Sequence, residues 1–222
     1  MGNIFSSSIG KKLVMSISGL FLLLFLALHL TINLLLLVGP DAFNIAANFM
    51  GTNPIIKIME PLLGLGFVIH ITYATIITLR NQTARPQGYK TVDQSQASSW
   101  QSRNMYVLGL IVFTFLVIHI SNFFWQLKFG AVPTVTVDGV EMHNTYLLVS
   151  SLFTTVWWIN PLYIIGALAL GYHLSHGFWS AFQTIGWNNS VWIKRLKVVS
   201  YLYAIVIAGG FSVISLYFWL LA

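Results

Sequence analysis

Five long apolar runs dominate this sequence and set the solvent in which the chain folds. They cover residues 13–38, 55–79, 105–127, 161–182 and 198–221. A hydrocarbon layer about 30 Å thick needs about 20 apolar residues in a helix, and each run is long enough. Helices satisfy their own backbone hydrogen bonds in lipid. The sequence therefore predicts an all-α, polytopic membrane helix bundle with five transmembrane helices, forming a single membrane domain over residues 1–222.

Composition supports a lipid environment and restricts the chemistry. The chain is 57% hydrophobic and only 7% charged, whereas soluble domains carry about 25% charged residues. It contains no cysteine, which excludes disulfides, iron–sulfur clusters and covalent or thiolate-ligated haem. Any metal centre must therefore use nitrogen or oxygen ligands.

Three segments need an interpretation of their own. Lys11 and Lys12 precede the first run as in a signal peptide, but the run exceeds the 7–15 residues typical of one, so we expect a span. Residues 144–158 could lengthen the fourth span or form a short interfacial helix before it, and we favour the second. Within residues 131–143, Asp138-Gly139 predicts a hairpin turn.

The distribution of Lys and Arg predicts the orientation. Nine of these residues fall on one side of the predicted bundle: Lys11, Lys12, Arg80, Arg85, Lys90, Arg103, Lys194, Arg195 and Lys197. Only Lys57 and Lys128 fall on the other side. Because short cytoplasmic loops carry the positive excess, we expect the N-terminus inside and residues 131–143 outside.

Histidines recur through the first four spans. The chain has six: His29, His70, His119, His143, His173 and His176. Ionisable residues within spans are costly and indicate function. The first and third spans run outward, which places His29 and His119 in the outer half. The second and fourth run inward, which places His70 and His173 in the inner half.

This spacing predicts two metal-binding layers roughly 10 Å apart, at about 1.5 Å rise per residue. Paired neutral imidazoles from different helices can ligate haem iron on both faces. Structural zinc is the main rival, but it requires four ligands in one place. We therefore expect two non-covalent haems with axial pairs His29/His119 and His70/His173. Ser16 and Arg103 are candidate partners of the haem propionates.

His176 leaves alternatives open because it lies one turn after His173 on roughly the same helix side. It could replace His173 as ligand, donate a supporting hydrogen bond to the ligand, or line a proton path. We expect His173 to be the ligand.

Several segments together resemble one known family. They are KKLVMSISG at 11–19, LHL at 28–30, IHI at 69–71, IHI at 118–120 and, most specifically, YHLSHGFWSAFQTIG at 172–186. The chain resembles the cytochrome b subunit of succinate:quinone oxidoreductases and quinol:fumarate reductases, in the five-helix dihaem form. The family's ligand pattern falls on the first histidine of HLSHG, His173, and pairs the first helix with the third and the second with the fourth.

The resemblance implies a membrane subunit of an enzyme, not the succinate-oxidising subunit itself. It implies two haem b groups, a flavoprotein and an iron–sulfur subunit as partners, and a membrane quinone, for which we expect menaquinone. It places the chain in a bacterial inner membrane. One departure concerns the quinone site, where some family members carry an acid. The aligned region around Phe43 to Asn48 has no carboxylate, and Glu60 lies too close in sequence to His70 for that role.

Three other functions compete with this interpretation. Another dihaem transmembrane cytochrome b reductase would share the histidine layers but lack soluble partner subunits. A proton-coupled transporter with a histidine relay would show internal repeats and discontinuous helices, which the sequence does not indicate. A structural anchor with a degenerate site would bind no haem.

Overall fold

Eight α-helices and a two-stranded hairpin make up the described part of this computed structural model, residues 7–84 and 99–221. The helices are α1 Ser8–Leu34, α2 Pro40–Thr52, α3 Pro54–Thr83, α4 Trp100–His119, α5 Trp125–Phe129, α6 Thr145–Thr155, α7 Ile159–Thr184 and α8 Ser190–Leu221. A 3-10 turn, Leu35–Leu37, extends α1, and a π-helical turn, Ile120–Phe124, joins α4 to α5. The hairpin strands are β1 Thr134–Val137 and β2 Val140–His143.

Four helical stretches are long and apolar enough to cross a membrane: Ser8–Leu37, Pro54–Thr83, Trp100–Phe129 and Ser190–Leu221. A fifth candidate combines α6 and α7, which meet at an angle of 105°. The described chain is thus an all-α membrane bundle with four to five candidate spans. The sharp angle makes α6 a separate helix and not a straight extension of α7. A separate short helix was one of the two arrangements expected for residues 144–158, and its position at the membrane interface stays a prediction.

Local sequence signals explain where the helices begin. Ser7 accepts a hydrogen bond from the backbone N–H of Gly10 at the start of α1. Asn53 caps α3 in the same way, with Pro54 in the first turn, and Asn144 caps α6. Short polar side chains at these positions satisfy N–H groups that have no partner within the helix. Helix α1 therefore starts five residues before its apolar run, whereas α3 starts one residue before its own. In α8 the helix begins at Ser190, eight residues before the predicted span.

One end of the bundle, which we call the hairpin end, carries α2, the hairpin and α6. Asn44 of α2 is only 1% exposed. Its side chain accepts from the backbone N–H of Tyr146 at 2.8 Å and donates to Asn144 at 3.4 Å. The hairpin turn at Asp138 and Gly139 uses positive φ angles of 52° and 77°, which glycine tolerates without strain. This confirms the predicted hairpin, whereas the sequence had not led us to expect the helix α2.

The opposite end, which we call the Lys11 end, contains the start of α1 and the end of α3. Lys11, near the start of α1, and Arg80, in the last turn of α3, both lie at this end. At the hairpin end, Lys128 and Glu60 form an ion pair of 2.9 Å. Antiparallel neighbours in the bundle thus bring together charges that are far apart in sequence. Arg85 and Lys90, used above to predict orientation, lie outside the described residues.

Helices α7 and α8 pack most closely, and polar bonds fix their register. A Cβ placed on Gly171 would lie 2.8 Å from Cβ of Ala208, so the two backbones approach tightly. Ser200 of α8 is fully buried and donates to the carbonyl of Ser175 at 2.6 Å. Close contact through small residues and interhelical hydroxyl bonds is the usual way in which helices associate in lipid. This pair provides the scaffold that positions His173.

Candidate functional site: two histidine pairs

The rings of His29 and His119 form the first pair, nearer the hairpin end. Their centroids lie 5.7 Å apart and their planes meet at 89°. His29 comes from α1 and His119 from the last position of α4. The structure therefore brings together two residues 90 positions apart that the sequence had placed in one layer.

The rings of His70 and His173 form the second pair, nearer the Lys11 end. Their centroids lie 6.4 Å apart with an interplanar angle of 75°. His70 comes from the middle of α3 and His173 from α7. All four imidazoles are partly buried, and each pair joins two different helices.

His70 is held by the α1 segment that contains Ser18 and Gly19. The Ser18 hydroxyl donates to the carbonyl of Met15 at 2.9 Å and lies 3.3 Å from Nδ1 of His70. Because its proton is already used, Ser18 serves His70 as an acceptor, which assigns the proton to Nδ1 and leaves the Nε2 lone pair free. A Cβ on Gly19 would come within 3.3 Å of the His70 ring, so glycine permits this approach.

The surroundings of His29 are mainly aromatic. Its ring stacks on Phe25 at 5.2 Å, and Phe211 of α8 lies 5.7 Å away. Asn33 donates to the backbone carbonyl of His29 at 2.8 Å, and its nitrogen lies 3.4 Å from Nδ1. The tautomer of His29 decides the roles in this second contact, so it does not fix the position of the ring proton.

His119 lies where α4 changes into the π-helical turn. Such turns insert one extra residue and often occur at functional sites. Phe115 stacks on His119 at 5.9 Å, and Tyr163 of α7 lies 6.0 Å from it. Within the turn, Asn122 donates to the Tyr163 hydroxyl at 3.0 Å. Asn122 and Tyr163 thus form a polar pair beside His119.

Two ring nitrogens at the pairs lack the partner that a buried polar atom normally has. Nδ1 of His119 and Nδ1 of His173 are buried, and neither has a hydrogen-bond partner within residues 7–84 and 99–221. Beside His173, Gly109 leaves room: a Cβ there would lie 3.6 Å from the ring. Since unpaired buried nitrogens are costly, these imidazoles are suited to hold an added group.

The spacing of each pair fits a metal bound between two imidazoles. An imidazole nitrogen binds a metal at about 2 Å and its ring centroid lies about 1 Å beyond, which separates two opposed centroids by roughly 6 Å. The observed 5.7 and 6.4 Å agree with this geometry. Over the described residues, no group of three or more His, Cys, Asp or Glu side chains gathers. Each pair therefore consists of two imidazoles that no third His, Cys, Asp or Glu side chain joins among the described residues.

The other two histidines lie elsewhere. The ring of His176 packs on Trp179 at 4.9 Å, so His173 is the member of the HLSHG motif that lies against His70. His143 is exposed in β2. Of the expected propionate partners, Ser16 is buried in α1, and Arg103 lies in the first turn of α4.

Sequence reasoning missed three residues of the site: Gly109, Asn122 and Tyr163. Asn122 follows His119 by three positions, a spacing that places two side chains on one helix side, so this signal was available. Tyr163 and Gly109 belong to other helices, and only the packing brings them to the histidines.

Comparison with known proteins gives one distant relative with broad coverage. The succinate dehydrogenase cytochrome b558 subunit of Bacillus subtilis (strain 168) is 26% identical over 184 residues, which cover 82% of this chain and 81% of the relative. The similarity supports the succinate dehydrogenase cytochrome b family. No protein-family model and no solved structure matches the chain. The relative and the apolar helices together support a membrane cytochrome b of succinate dehydrogenase that takes part in electron transport.

Proposed function

We propose that this chain is the membrane anchor and dihaem cytochrome b subunit of a succinate:quinone oxidoreductase. It would pass electrons between an iron–sulfur subunit and a membrane quinone, expected to be menaquinone, in a bacterial inner membrane. The observation that carries the proposal is the two histidine pairs, each joining two helices at a spacing suited to a bound metal. The distant relative supplies independent support.

In this proposal each histidine pair holds one non-covalent haem b. The haem iron would supply a one-electron carrier, which the side chains of this chain cannot provide. His29 and His119 would be the axial ligands in the first pair, and His70 and His173 in the second. Ser18 orients His70 by accepting from Nδ1, and such supporting bonds fix the ligating tautomer. Stacked Phe25 and Phe115 exclude water from the first pair.

The proposed topology has five spans with the N-terminus in the cytoplasm. Four continuous helices and the bent α6–α7 pair support the number of spans. The excess of Lys and Arg at the Lys11 end supports the orientation. In this orientation the second pair faces the flavoprotein and iron–sulfur subunits, which belong to other chains.

The deciding experiment is a reduced-minus-oxidised optical spectrum of the purified chain, with haem counted per polypeptide. We expect two b haems. Replacing His29 or His119 by alanine should remove one, and replacing His70 or His173 should remove the other. The exposed His143→Ala is the matched control and should retain both. A folded preparation without haem would exclude the electron-transfer function.

Purification of the complex separates this function from that of a stand-alone cytochrome. A flavoprotein and an iron–sulfur protein should co-purify with the affinity-tagged chain from its native membrane. A dihaem chain that purifies without them, while retaining both haems, would favour the other transmembrane reductase.

A further inference from the structure

Lys11 is buried, and no carboxylate among the described residues forms an ion pair with it. Its side chain is 6% exposed, whereas the neighbouring Lys12 is exposed. Its Nζ makes no hydrogen bond within the described ranges 7–84 and 99–221. Arg80, in the last turn of α3, adds a second positive charge at the same end of the bundle. Buried charges are normally paired, so an anion belongs at this position.

The chain itself offers few candidates for that anion. Its five acidic residues are Asp41, Glu60, Asp93, Asp138 and Glu141. All of those within the described residues lie at the hairpin end, in α2, the start of α3 and the hairpin. The length of α1 separates that end from Lys11. Asp93 lies outside the described residues and is tested separately below.

The helix register points Lys11 toward the second histidine pair. Lys11 and Ser18 are seven residues apart, which places them on one face of α1, about 10 Å apart along its axis. On that face Ser18 contacts His70. Arg80 follows His70 by ten residues on α3, toward the same end. Both cations therefore lie beyond His70 on the side of the Lys11 end.

We propose that Lys11, reinforced by Arg80, is the cationic anchor for a carboxylate of the haem at the His70–His173 pair. This inference rests on the proposed function. Haem b carries two carboxylates on one edge of its macrocycle, and a buried ammonium on the face of α1 that meets His70 matches their charge. A lipid phosphate has similar charge but would need an accessible cation, which describes Lys12 better than Lys11.

The test is an optical redox titration of both haems in membranes that contain the full-length chain. Reduction adds negative charge, so a nearby cation stabilises the reduced haem. Lys11→Gln should lower the midpoint potential of one haem, shifting its reduced-to-oxidised ratio at fixed potential roughly tenfold. The affected haem should be the one that His70→Ala removes. Lys12→Gln should leave both midpoints unchanged, and Lys11→Arg should stay close to the unaltered protein.

Other outcomes would overturn the assignment. Two haems with unchanged midpoints in Lys11→Gln would place a lipid or other group at Lys11 and leave the proposed function intact. A midpoint raised in Asp93→Asn by about as much as Lys11→Gln lowers it would identify Asp93 as the partner of Lys11. If Lys11→Gln loses a haem, its retention in Lys11→Arg supports the charge role, and its loss in both contradicts it. Absence of haem from the unaltered chain would instead defeat the proposed function.

Discussion

The hydroxyl of Ser18 in α1 contacts Nδ1 of His70 in α3, and the carbonyl of Met15 sets the direction of this hydrogen bond. The hydroxyl of Ser18 donates to Met15 and so accepts from Nδ1 of His70, 3.3 Å away. A serine in a membrane helix thus decides which nitrogen of a distant histidine is free to bind a metal.

Removal of this hydroxyl should weaken the second pair alone. Ser18→Ala removes one acceptor from the Nδ1 proton of His70, and loss of such a supporting bond costs about 10–100-fold in metal affinity. Haem content can be measured during dilution or during competition with apo-myoglobin. In Ser18→Ala one of the two haems should be lost earlier than in the unaltered chain. Thr31→Ala is the matched control, because Thr31 bonds only to its own helix at Ala27. Equal haem retention in both variants would refute the role of Ser18.

A methyl group at Gly166 should disturb the first pair. Its Cβ would clash with the ring of Phe115, which stacks on His119. Overpacking of this kind costs about 1–3 kcal/mol. We expect Gly166→Ala to lower thermal stability in detergent and to alter the spectrum of the haem that His119→Ala removes.

The control for this substitution is Gly64→Ala, where a Cβ meets no atom within 4 Å. It should be neutral or slightly stabilising, because alanine favours helix over glycine. If both variants behave alike, the contact between Gly166 and Phe115 does not support the site.

Ser200 should contribute measurably to the α7–α8 contact. It donates to the carbonyls of Leu174 and Ser175 beside His173. Interhelical hydrogen bonds in membrane proteins average about 0.6 kcal/mol and reach about 1.7 kcal/mol, so Ser200→Ala should reduce unfolding free energy by that order. Ser212→Ala should cost nothing, because the Ser212 hydroxyl is buried without a partner among the described residues. Denaturation in mixed detergent compares the two, and a larger loss in Ser212→Ala would contradict the assignment.

Topology can be read by single-cysteine labelling, since the chain contains no cysteine of its own. Val140→Cys lies at an exposed site of the hairpin, and Asn188→Cys at an exposed site between α7 and α8. A membrane-impermeant maleimide should label Val140→Cys in intact cells, and Asn188→Cys only after permeabilisation. The reverse pattern would place the N-terminus outside.

The histidine layers were predictable because depth in a membrane helix follows from counting residues. His29 and His119 lie at similar distances from the ends of the continuous helical stretches Ser8–Leu37 and Trp100–Phe129, and the structure brings their rings together. The short helix α2 escaped prediction because its 13 residues are too few for a span and include polar side chains. Contacts such as Gly109 with His173 depend on which helix faces match, and a single sequence does not contain that information.

Asn44 also has a consequence for biosynthesis. Its partners Asn144 and Tyr146 lie 100 and 102 residues later in the chain. At about 5–20 residues per second, the ribosome needs roughly 5–20 s to make that stretch. During this interval the first span is already inserted, while the amide of Asn44 still has water as its partner. The hydrogen bonds between α2 and α6 therefore form only after the third span has been synthesised. They are among the later contacts to form as the bundle assembles.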